Sequence, residues 1–231
     1  MALGAFLLAA FAQSSLLVGG LVVYPFRFSA KVIGALAAFG AGALLSAVSF
    51  DLVPQAAALA TVESAFLLLA GAAIYLVADR FVESRFGGED SGNPLGMVVG
   101  AIVDGVPESL IFGIAVTTGD PISIAFVAAV WISNVPQAMA PSADLREQGW
   151  SMAKTGLMWG SVVLVCALTA LFGFWLGTTF SSATGAGAAA IAAGGVLAML
   201  TDSMIPFSFA KGGRPAGIWM VVGFALTLLM I

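Results

Sequence analysis

Apolar windows of about 20 residues follow one another along this chain with little between them, and that pattern leaves very few folds open. A helix rises about 1.5 Å per residue, so each window is long enough to cross a hydrocarbon layer of about 30 Å. The windows lie at roughly 3–25, 31–54, 63–83, 94–117, 121–142, 152–177, 184–208 and 215–231. Inside a bilayer every backbone N–H and C=O must find its partner within the protein, which selects helices over open sheet. The expected architecture is therefore an all-α, polytopic membrane protein of eight transmembrane helices, forming one integral membrane domain over 1–231. Composition excludes a soluble alternative: 61% of the 231 residues are hydrophobic and 9% charged, too few charges to cover a water-facing surface. Mean hydropathy is +1.08. The first window has no basic start and no small-residue cleavage site, so it reads as a span rather than a signal peptide.

Orientation follows from the basic residues. Arg27 and Lys31 flank the break between spans one and two, and Arg80 and Arg85 follow span three. Arg146 and Lys154 separate spans five and six, and Lys211 and Arg214 separate seven and eight. The positive-inside rule assigns these alternate loops to the cytoplasm and both termini to the other side of a cell membrane. The single Cys166 lies in an apolar run and there is no histidine, so a disulfide framework and the commonest zinc ligands are excluded. The Glu89-Asp90 loop carries no His-rich or Cys-rich tract for metal capture.

Two proline-centred polar clusters interrupt adjacent spans. Asp104-Gly105-Val106-Pro107-Glu108 stands in span four, and Ser133-Asn134-Val135-Pro136-Gln137 in span five. Each proline lacks an N–H and frees a carbonyl one turn earlier, at Val103 and Ile132. A carboxylate at mid-bilayer costs at least about 2.5–3.5 kcal/mol on insertion scales, so it faces a partner, a cavity or an ion. Asp104 and Glu108 are four residues apart and share a helical face; Ser133 and Gln137 do the same, with Asn134 beside them. These hard oxygen donors suit a divalent cation, and the expected metal ligands are Asp104, Glu108, Ser133, Asn134 and Gln137. The competing reading is that the same groups hydrogen-bond to one another as interhelical glue.

Spans two and seven echo each other. GALLSAVSFDLVPQ (42–55) and GGVLAMLTDSMIPF (194–207) each place an aspartate, Asp51 or Asp202, three or four residues before a proline. An even span count makes these helices antiparallel, which suggests spans 1-2-3 set against 6-7-8 around a central pair, a construction recurrent in secondary transporters. Helix capping or an interfacial position also accounts for both aspartates. Asp79 and Glu83, near Arg80 and Arg85, read as solvated or paired at a span end.

The paired motifs resemble the HNxPEG-type motifs of the ZIP zinc/iron permeases, in a DGxPES/SNxPx form similar to prokaryotic members. AGALLSAVSFDLVPQA and GGVLAMLTDSMIP resemble the second and seventh spans of that family. The resemblance implies a 3+2+3 inverted-repeat bundle and an elevator-like carrier with its metal site between spans four and five. By motif position Asp104 stands where many members have His, Gly105 where they have Asn, and Glu108 at the family Glu. Ser133 stands where His or Gln is frequent, Asn134 where Asn or Asp is, and Gln137 replaces a Glu. Span six has no carboxylate and Phe207 follows Pro206 where a Glu is common, so Asp104 and Glu108 alone would neutralise the ion.

The expected function is secondary transport of a divalent metal cation of the zinc, iron or manganese class. The ion would be cargo; no prosthetic group is implied. The alternative is a transport-inactive, ZIP-like membrane binding or scaffold protein with a degenerate site. A membrane enzyme such as an intramembrane aspartyl protease lacks its GxGD-type motif here, so no enzyme is expected. The expected partners are the metal ion and the lipid bilayer, with no nucleic acid; a homodimer is left open.

Overall fold

A computed structural model describes residues 1–86, 94–118, 123–179 and 183–231. The Glu89-Asp90 loop and the start of the fifth expected span, Pro121 and Ile122, lie outside the described residues. The protein is all-helical, 89% helix with no strand among the described residues. In chain order the helices are α1 (Ala2–Gln13), α2 (Ser15–Val22), α3 (Ala30–Ala47), α4 (Val53–Ala56), α5 (Thr61–Phe86) and α6 (Pro94–Thr118). Then follow α7 (Ile124–Glu147), α8 (Met152–Thr179), α9 (Ala183–Met199), α10 (Ile205–Gly212) and α11 (Ala216–Leu228).

Seven of the resulting rods are long and apolar enough to cross a membrane: Ala2–Val22, Ala30–Ala56, Thr61–Phe86, Val98–Thr117, Ile124–Glu147, Met152–Thr179 and Gly185–Gly212. The eighth expected span is a shorter apolar helix, Ala216–Leu228, of 13 residues. At about 1.5 Å per residue it reaches about 20 Å, less than a full hydrocarbon thickness. Its start is set by Gly213, whose φ of 65° stops α10, and by Pro215 at the following N-cap.

The distribution of side chains is that of a membrane protein. Large apolar residues of α5 such as Phe66, Leu69, Ile74, Val77 and Phe81 are exposed, while the buried core is rich in alanine. Ala9, Ala12, Ala41, Ala43 and Ala47 are wholly buried around Leu44, Phe112 and Val130. Small residues let helices approach closely where lipid tails remove the usual hydrophobic drive for association. The tightest seams join α6 to α8, α3 to α11, and α5 to α9; α7 packs against α2 and α3.

Two crossing rods are interrupted by π-helical turns, Val48–Leu52 between α3 and α4 and Leu200–Met204 between α9 and α10. Each turn contains one aspartate, Asp51 or Asp202, and each is followed by a proline, Pro54 or Pro206, in the first turn of the next helix. Proline has no N–H to donate to the preceding turn, and the wider turn absorbs the break. The likeness of the two segments thus extends from sequence to backbone.

Candidate functional site

The polar clusters meet at the centre of the bundle. Pro107 lies inside α6, and Pro136 and Pro141 lie inside α7. Asp104 is 5% exposed and Glu108 1% exposed, so both carboxyl groups are dry unless the protein supplies partners. It does. The Tyr75 hydroxyl on α5 donates to Asp104 Oδ1 at 2.6 Å, and Gln137 Nε2 on α7 donates to Asp104 Oδ2.

Glu108 takes its partner from another direction. Gln13 at the end of α1 donates from Nε2 to Glu108 Oε2 at 3.0 Å, and its Oε1 accepts from Asn134 Nδ2 at 2.8 Å. Gln13 is wholly buried. The carboxyl groups of α6 are therefore linked to α7 in two ways, directly through Gln137 and indirectly through Gln13.

Four of the five expected ligands are gathered by these bonds. Ser133 is placed apart: its hydroxyl donates to Val130 O of its own helix at 2.9 Å. A Cβ on Gly40 of α3 would lie 2.6 Å from Ser133 Cα, so this residue faces the α3 seam. The reason is helical phase. Asn134 turns to Gln13 of α1 and Gln137 to Asp104 of α6, while Ser133, about 40° from Gln137 and about 100° from Asn134, falls on the flank of that face beside α3.

A cleft of about 340 Å³ reaches this centre, with Asp104 and Gln137 in its wall. Among the described residues its wall carries Asp79, Glu83, Asp144 and Asp202 against one cation, Lys211. Asp79 and Asp202 bring their carboxyl groups together, and Lys211 lies near Asp144. Asp79 and Glu83 thus line a cleft as well as standing at a span end, and the two echoed aspartates part company. Asp202 joins the cleft wall, whereas Asp51 has one buried carboxyl oxygen without a hydrogen-bond partner among the described residues. No group of three or more His, Cys, Asp or Glu side chains suited to a metal occurs among the described residues.

Gln13 and Tyr75 were not legible as site residues from spacing. The available signal for Gln13 is the one amide, followed by Ser14 and Ser15, inside a first span that carries no charge. Tyr75 carries no such mark, since a tyrosine in an apolar helix packs as readily as it bonds. The single thiol, Cys166 of α8, is also buried against the site: a Cβ on Gly105 would lie 2.6 Å from its Sγ and 3.5 Å from the Gln13 amide. Known protein-family models and curated protein sequences give no match to this chain.

Proposed function

We propose that this protein carries a divalent metal cation across the membrane as a secondary transporter, through a site between α6 and α7. The observation that carries this reading is the pairing of Asp104 and Glu108, buried one turn apart on a proline-interrupted helix, with Asp104 in the wall of an acid-lined cleft. Packing alone has little use for two carboxyl groups at that depth, since each must be stripped of water. Asp104 and Glu108 would supply the negative charge, and Asn134 and Gln137 amide oxygens. An all-oxygen set of this kind is hard and suits manganese, magnesium or zinc over softer ions.

The cleft lies at the ends of α5 and α7 that carry Arg80, Arg85 and Arg146, the side that positive-inside charge assigns to the cytoplasm. In this orientation the cargo site faces inward and both termini lie outside the cell membrane. The packing supports a 3+2+3 inverted repeat with α11 as the eighth span: the α3–α11 seam is matched by α9–α5, and the contacts of the first rod with α7 by those of α8 with α6. The motif pair and this layout together favour a divergent member of the ZIP permeases; that step is analogy from fold and motif.

A second reading is favoured by one specific observation. Asp104 and Glu108 both have side-chain hydrogen-bond partners, so the network also serves as interhelical glue in a transport-inactive, ZIP-like binding or scaffold protein. Flux of manganese and zinc into proteoliposomes separates the two. The permease reading expects metal uptake by the wild type and its loss in Glu108→Gln, with the variant still folded. A wild type inert to every divalent ion tried would leave the scaffold reading in possession.

A further inference from the structure

We propose that the Gln13 side chain is a resident placeholder in the cation site, which a divalent ion must displace to reach Glu108 and Asn134. This rests on the divalent-cation reading above. Asp104 and Gln137 line the cleft, whereas neither Glu108 nor Asn134 belongs to its wall. Between those two residues stands the Gln13 amide, wholly buried, its N–H edge on Glu108 Oε2 and its oxygen on Asn134 Nδ2. The amide thus presents a partial positive charge to the same carboxyl oxygen that a cation would seek.

The residue type suits such a role. A lysine or arginine there would be a permanent counter-ion, and an apolar side chain would leave Glu108 without a donor whenever no ion is bound. A neutral amide satisfies the carboxyl group with a bond weak enough to be exchanged for a metal contact. Its position suits the exchange as well. The bonds that hold the amide at Glu108 and Asn134 are made by its side chain alone, so their exchange for metal contacts leaves the backbone ladder of α1 intact.

If Gln13 competes with the cargo, removing its amide should tighten binding. If it is only interhelical glue, removal should weaken the fold and leave affinity unchanged or lower. The test is calorimetric titration of the full chain in detergent with manganese and with zinc, alongside thermal unfolding. It compares wild type, Gln13→Ala and the near-isosteric Gln13→Met, with Glu108→Gln as the non-binding control. Loss of competing hydrogen bonds to a buried carboxyl group predicts affinity higher by about tenfold or more in both Gln13 variants. In Gln13→Glu, binding should tighten further, and manganese should raise the melting temperature more than in wild type, because the added carboxylate stands against Glu108 with no positive charge to offset the pair until the ion arrives.

Wild-type binding with equal or weaker binding in Gln13→Ala and Gln13→Met overturns the placeholder and leaves the cation reading standing. Failure of both variants to fold even in saturating manganese also overturns it, since a placeholder is by definition replaceable by the ion. Folded wild type that binds neither metal, with variants equally inert, removes the cation reading itself.

Discussion

The Tyr75 hydroxyl donates to Asp104 Oδ1 at 2.6 Å, tying α5 to the centre of α6 at a point where Tyr75 is 3% and Asp104 5% exposed. α5 is otherwise little buried, so this bond is a polar tether between an outer helix and the site. Tyr75→Phe keeps the ring and deletes the donor. It should lower unfolding free energy by about 1–2 kcal/mol, measured by thermal or denaturant unfolding in detergent. In the Asp104→Asn background the same substitution should cost less, and strict additivity in that double-mutant cycle would mean the two groups do not interact.

Gly105→Ala tests how closely α8 approaches the motif. The new methyl carbon would lie 2.6 Å from Cys166 Sγ, well inside contact distance, and the thiol has no open space to enter because Cys166 is wholly buried. Overpacking of this kind destabilises by about 1–3 kcal/mol. Cys166→Ala in the same chain should restore most of the loss. A Gly105→Ala protein as stable as wild type would show that the α6–α8 seam opens at this level.

Gln137→Glu should strengthen the cation site, because it sets a third carboxyl group between α6 and α7. Gln137 Nε2 now donates to Asp104 Oδ2, and a glutamate would meet the same oxygen without that donor. The variant is therefore expected to be less stable than wild type without metal and to bind divalent ions more tightly. Zinc should gain over manganese as anionic ligands accumulate, following the general affinity order. Side-by-side flux of both ions checks this; unchanged flux and affinity would remove Gln137 from the site.

Topology is open to direct labelling. Gln148 is exposed just beyond α7, in a connection bordered by Arg146 and Lys154. In a Cys166→Ala background, Gln148→Cys should react with a membrane-impermeant maleimide only after the cytoplasmic face is opened. Reaction from outside intact cells would reverse the orientation and place the acid-lined cleft on the external side.

Much of this protein was legible in one dimension. Apolar windows of about 20 residues dictate helices because a bilayer offers no partner to an unpaired peptide group, and that rule needs no tertiary information. The likeness of the second and seventh rods was legible in Asp51 and Asp202 ahead of their prolines, since the missing N–H is a local property of the chain; that each break takes the form of a π-turn came from the structure. Asp104, Glu108, Asn134 and Gln137 were marked by the desolvation cost that any polar group at such depth incurs. Which partner meets that cost is a different matter. Gln13 lies 95 residues from Glu108 and 121 from Asn134, and Tyr75 lies 29 from Asp104, so only the packing of α1 and α5 against α6 and α7 decides these bonds. Packing against α3 set Ser133 apart from the carboxyl groups, and the assembly of two span ends with the π-turn of the seventh rod drew Asp79, Asp144 and Asp202 into one cleft. Local sequence sets the covalent and solvation constraints on each segment; the choice among partners that would satisfy them is made by the whole bundle, because it depends on distances between segments that no spacing encodes.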